Sequence, residues 1–171
     1  MKKRHFLQTS AAFLGVFALS GCSSQQTDAQ AGTLTEDEMT SGEFALNKSP
    51  DEWREILTPE EFHVLREHGT ERPFSSDLNK LYEPGTFTCA GCEQPLYSSE
   101  TKFDSGTGWP SFYAAIPDAV GTSTDNSFFM TRTEVHCDNC GGHLGHIFND
   151  GPQPTGKRHC INGVALNFVE A

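Results

Sequence analysis

"CDNCGGHLGHIFNDGPQPTGKRHCIN", Cys137 to Asn162, opens on a C-x-x-C pair, passes two histidines three positions apart, and ends on a cysteine with no near partner. A second pair, "CAGC" at Cys89 to Cys92, precedes it, with 44 residues between the two. Both pairs sit among turn formers: Gly91 inside one, Asp138 and Asn139 inside the other, and Gly141 and Gly142 just after it. Such turns let four sulfurs converge on one tetrahedral ion at about 2.3 Å each, closing a structural site with no position left for substrate. Cys89, Cys92, Cys137 and Cys140 are therefore expected to hold one structural zinc ion. Two disulfides are the competing reading if the chain is exported, and a redox-active C-x-x-C is another. Against the latter, neither pair stands where a strand feeds a helix.

Outward from these pairs, the chain after Gly69 consists of short runs of Phe, Thr, Val and Tyr broken by Gly, Pro, Asn and Asp. That is strand and turn chemistry. Two helices are expected before it. In "SPDEWREIL", Ser49 can cap, Pro50 suits the first helical position and Glu52 completes a capping box. "TPEEFHVLREHG" repeats the device with Thr58, Pro59 and Glu61, and Gly69 reads as the stop. Residues 49–171 have the size of one ordinary domain.

The N-terminus reads as a targeting segment. "MKKR" is a positive start, "FLQTSAAFLGVFALS" an apolar and small-residue run, and "LSGC" leads to Cys22. The pattern resembles a bacterial lipoprotein signal over residues 1–21, cut before a lipid-bearing Cys22. An ordinary membrane anchor is the alternative, but the apolar run falls short of the ~20 residues a spanning helix needs. Residues 22–48, rich in Ser, Thr, Gln, Gly and acid, read as a flexible tether, with an acidic docking segment as the alternative. Ser23 suggests, by resemblance to sorted lipoproteins, the periplasmic face of an outer membrane; in a single-membrane cell the site would be the outer surface. Loss of Lys2, Lys3 and Arg4 takes the formal charge from −11 to −14. So acidic a chain repels phosphate backbones and anionic head groups, which argues against nucleic-acid binding and leaves lipid on Cys22 as the membrane contact.

With two pairs on zinc and Cys22 on lipid, Cys160 is the thiol left for chemistry. A buried structural cysteine is the plainer reading. In an extended "RHCIN", however, Arg158, Cys160 and Asn162 project from one face. A cation beside a thiol lowers its pKa, and a carboxamide can hold a polar oxygen next to it. His143 and His146, with Asp150 behind them, are then available for proton transfer or for orienting an oxygen. H-x-x-H alone is more often structural or half of a metal site. In "DSGTGWPSF", Asp104 to Phe112, Trp109 either caps the core or forms a wall for a methyl group or soft sulfur.

Together "EEFHVLREHGTERPF", "CAGC", "KFDSGTGWPSF" and "CDNCGGHLGHIFNDGPQPTGKRHCIN" resemble the B-type peptide methionine sulfoxide reductases from Ser49 onward. The resemblance implies a mainly β domain, two antiparallel sheets in a tent-like arrangement with short N-terminal helices, stabilised by zinc on the two C-x-x-C pairs. It also implies reduction of the R epimer of methionine sulfoxide in proteins. Cys160 corresponds to the nucleophile, which would become a sulfenic acid; His143, His146 and Asn162 correspond to polar groups around the sulfoxide oxygen. Trp109 corresponds to the residue receiving the substrate methyl, and Arg158 and Asp150 to charged groups behind the site. Many members carry a resolving cysteine where Thr107 stands here. An external thiol, thioredoxin-like or other, is then expected to regenerate Cys160. A zinc-stabilised binding module and a disulfide-exchange lipoprotein are the rival classes.

Overall fold

The computed structural model describes residues 44–171. The signal segment, Cys22 and the tether as far as residue 43 lie outside the described residues. Helices α1 (Pro50–Ile56) and α2 (Pro59–Glu67) begin as their sequences require: Ser49 and Thr58 each accept from the third backbone N–H, and Glu52 and Glu61 reach back to the cap. Such a cap is worth about 1 kcal/mol. The second helix stops one residue before the expected glycine. His68 itself takes the left-handed conformation, and the Gly69 N–H bonds to the His63 carbonyl.

Nine strands follow among the described residues: β1 (Gly85–Cys89), β2 (Pro95–Ser98), β3 (Lys102–Phe103), β4 (Ser111–Phe112), β5 (Val120–Asp125), β6 (Arg132–Cys137), β7 (His143–Phe148), β8 (Arg158–Ile161) and β9 (Leu166–Glu170). They form a three-stranded sheet, β2-β1-β9, and a six-stranded sheet, β3-β4-β8-β7-β6-β5. Every pairing in both is antiparallel. The domain is mainly β with few helices, as expected. Its centre is aromatic: Phe112 of the larger sheet stacks on Tyr97 at 4.4 Å and meets Phe87 edge-on at 5.0 Å, both from the smaller sheet. All three are fully buried, each contributing roughly 2 kcal/mol through the apolar area it removes from water.

The last residues of the expected tether are held against the domain. The Leu46 N–H donates to the Asn139 carbonyl at 2.8 Å, and Phe44 packs edge-on against His136. Phe44 and Leu46 supply the apolar contact that the polar composition upstream of them lacks.

Candidate active site and cysteine centre

The register of the six-stranded sheet lines up one row of side chains. Phe103 faces Ser111, Ser111 faces Cys160, Cys160 faces His146, His146 faces Glu134 and Glu134 faces Ser123. Residues directly opposite in antiparallel strands share a face with Cβ atoms about 5 Å apart. The row therefore sets a thiol between a hydroxyl and an imidazole. Two positions along the same face stand Asp125, Arg132, Phe148 and Arg158. Gly145 makes this register possible, because a Cβ there would collide with the Cys160 carbonyl oxygen.

Cys160 is partly buried, and its neighbours pull its titration in opposite directions. Burial pushes the thiol above its ordinary value; Arg158 and the Thr107 hydroxyl pull it back. The expected activation by Arg158 is present but outweighed. Asp150 holds the guanidinium through both its oxygens at 2.9 Å, and the guanidinium lies over the Phe148 ring at 4.4 Å. Arg158 in turn keeps Asp150 below the usual carboxylate range.

The two expected histidines sit side by side, their rings 5.4 Å apart. His143 Nδ1 is 2.6 Å from Glu134 Oε1, and His146 Nε2 is 2.8 Å from Asp125 Oδ2. Burial lowers the pKa of His146 against the opposing pull of Asp125. Hydrogen bonds from Ser127 and His146 keep Asp125 well below the carboxylate range, and those from His143 and His68 do the same for Glu134. His68, Glu134 and His143 lie close enough to share an ion. Their 2.6 and 2.9 Å contacts are those of one carboxylate accepting two N–H groups.

Opposite this row, the "SGTGWP" turn brings Thr107 Oγ1 to 4.0 Å from Cys160 Sγ and continues through Ser105 to Ser111 in a chain of 2.8 Å hydroxyl contacts. Gly108 holds the turn at φ +95°, where a Cβ would press on Pro73 and Phe74. Trp109 Nε1 donates to the Glu71 carbonyl at 3.2 Å. Asn162 does not simply extend the strand face: its Oδ1 accepts from the Glu71 N–H at 3.0 Å and its Nδ2 donates to the Leu144 carbonyl at 3.0 Å. The Glu71 carboxylate closes the loop by accepting from the Gly163 and Val164 N–H groups. One residue thus ties the indole, the carboxamide and the turn after the nucleophile together.

The four C-x-x-C sulfurs lie within 4.8 Å of one another, with Cys89–Cys140 at 3.8 Å and Cys92–Cys137 at 3.5 Å. Disulfide sulfurs are about 2.05 Å apart. Four sulfurs each about 2.3 Å from a central ion would be about 3.8 Å apart, so the set fits a zinc-type tetrahedron and not two disulfides. Arg66 donates to Cys140 Sγ at 3.2 Å and to its carbonyl at 2.8 Å while lying over Trp53 at 3.7 Å. A fixed cation there would offset the surplus negative charge of four thiolates on a divalent ion.

This geometry frames the comparison with known proteins. The family model described as "SelR domain" matches residues 57–170. The chain belongs to the SelR family. It is 61% identical over 125 residues to a protein of Methanosarcina barkeri named peptide methionine sulfoxide reductase MsrB, covering 72% of this chain and 88% of that one. Proteins of the same name from Agrobacterium fabrum and Leptospira interrogans are 55% and 51% identical, the matches covering 92% and 96% of their lengths. The matched SelR region includes both C-x-x-C pairs, the Trp109 turn and the Cys160 row. Glu71, Asp125, Glu134 and His68 were missed by sequence reasoning. Glu134 left no signal: it stands with Arg132 and His136 on the polar phase of "RTEVHC", opposite the core-facing Val135 and Cys137.

Proposed function

We propose that this chain, an oxidoreductase acting on methionine sulfoxide, reduces the R epimer in proteins, with Cys160 as nucleophile and an external thiol closing the cycle. The observation that carries the reading is the row in which Cys160 stands between Ser111 and His146, with Trp109 and Thr107 supplied by the facing turn. Cys160 sulfur attacks the sulfoxide sulfur, and the sulfoxide oxygen is protonated from the His143–His146 pair as charge develops on it. Methionine leaves and the oxygen remains on Cys160 as a sulfenic acid. The incoming thiol then forms a mixed disulfide with Cys160 and releases water; a second thiol frees Cys160 and carries the disulfide away. Trp109 walls the methyl side. The ion we assign to the four cysteines is one zinc with a structural role. Turnover of R- and S-methionine sulfoxide peptides with dithiothreitol tests the reading: reduction of R alone is expected, and reduction of neither epimer overturns it.

Because burial raises the Cys160 thiol, the thiolate is the minor form at neutral pH and turnover is expected to climb on the alkaline side. Removing the Arg158 cation raises the thiol further. Arg158→Ala should therefore move the ascending limb to higher pH, each unit of movement costing about tenfold at fixed pH. A rate-against-pH profile checks this; an unmoved limb contradicts the role of Arg158.

At 4.0 Å from Cys160 Sγ, the Thr107 position is within reach of a disulfide after a small shift. Thr107→Cys is expected to divert the sulfenic acid into a disulfide between the introduced thiol and Cys160 after one turnover, seen as loss of dimedone labelling and a new cross-linked peptide by mass spectrometry. Undiminished labelling would contradict the placement of this turn.

We further propose export, cleavage before Cys22 and lipid anchoring, on the strength of the N-terminal pattern. Metabolic labelling with a palmitate analogue, lost on Cys22→Ala, tests it.

A further inference from the structure

Protonating the sulfoxide oxygen requires an imidazole held in one tautomer with its proton available. Glu134 is built to impose this on His143. Its carboxylate accepts from His143 Nδ1 at 2.6 Å, from His68 Nδ1 at 2.9 Å and from Ser123 Oγ at 2.5 Å. An ionised carboxylate offers acceptors only, so the His143 ring must present Nδ1–H to it. That leaves His143 Nε2, which is buried and has no hydrogen-bond partner among the described residues. The ring nitrogen not committed to Glu134 is therefore Nε2, and the neighbouring His146 ring packs 5.4 Å away.

We propose that Glu134 is a positioning residue of the sulfoxide-reducing site: by accepting from His143 Nδ1–H it fixes the ring, so that Nε2 is the nitrogen that takes up and hands on the proton. This rests on the sulfoxide reductase reading above. The charged and titratable groups around the pair are His68 and Arg66 from the end of α2, Glu134 and Arg132 from β6, and Asp125 from β5. Of these, Glu134 and Asp125 are the anions that favour an imidazolium. Glu134 is the one in direct contact with His143, and it holds its charge because three donors stabilise it. Taking away the Glu134 charge weakens the charge-assisted hydrogen bond that holds His143 Nδ1–H in place.

The test is Glu134→Gln in the full chain, which keeps the side-chain shape and removes the charge. With an R-methionine sulfoxide peptide and dithiothreitol, kcat at neutral pH is expected to fall about 10- to 100-fold, by analogy with the loss of carboxylates that orient metal-binding histidines. KM should change little, so that the loss falls on kcat. A folded, metal-loaded variant with wild-type kcat, or one whose loss falls on KM alone, overturns the proposal. If the variant does not fold, 15N NMR of the wild-type imidazoles decides: His143 protonated on Nδ1 is expected, and His143 protonated only on Nε2 overturns it. A wild-type enzyme that fails to reduce the R epimer would refute the underlying reading separately, while the NMR result still judges the Glu134–His143 contact.

Discussion

Cys160→Ser is expected to reduce sulfoxide turnover to background while leaving the fold and the bound metal intact. The hydroxyl is a poor nucleophile toward sulfur and cannot accept oxygen as a sulfenic acid, so both halves of the cycle are lost. The fold should tolerate the change. Cys160 contributes its backbone to the pairing of β8 with β4 and β7, its side chain is only partly buried, and serine is nearly isosteric. A loss of roughly 1 kcal/mol is the most such a swap should cost. Activity, metal content by atomic absorption and thermal melting, measured on one preparation, check the three statements together. Loss of the metal in this variant would contradict the separation of nucleophile from cysteine centre.

Replacing any one of Cys89, Cys92, Cys137 or Cys140 with serine should release the ion and lower Tm by ~10–20 °C, because metal binding and folding are linked and several kcal/mol are at stake. The effect should be large because the centre joins parts distant in sequence: Cys89 ends β1 of the smaller sheet, Cys137 ends β6 of the larger one, and Arg66 ties α2 to Cys140. Cys89, Cys137 and Cys140 are buried, so without the ion their sulfurs would sit in apolar surroundings with Arg66 as the charge beside them. Calorimetry alongside metal analysis decides; an unchanged Tm with the metal retained would remove that cysteine from the ligand set.

What could be read in the sequence was whatever local spacing encodes. Each capping box lies within a single helical turn, and both formed. The C-x-x-C turns likewise carry their geometry within a few residues, so their convergence could be inferred, and the alternation of "RHC" put Arg158 and Cys160 on one face. Reading failed where a distant partner decides. Asn162 leaves the strand because Glu71, 91 positions earlier, claims its Oδ1. His68 caps α2 one residue before Gly69, and its imidazole bonds to Glu134 from across the fold. The net rise of the Cys160 pKa was equally hidden, since burial is set by tertiary packing and not by the adjacent arginine. Glu134 and Asp125 gained their roles only through the register of β5, β6 and β7.

The central claim, that Cys160 alone takes the oxygen and an external thiol removes it, is tested most directly by one turnover without reductant. The wild-type protein, given a single equivalent of an R-methionine sulfoxide peptide, is trapped with dimedone and mapped by mass spectrometry. The account predicts one methionine released per chain, one dimedone adduct, its position at Cys160, and the metal still bound. A disulfide from Cys160 to one of the C-x-x-C cysteines, with the metal released, would contradict it.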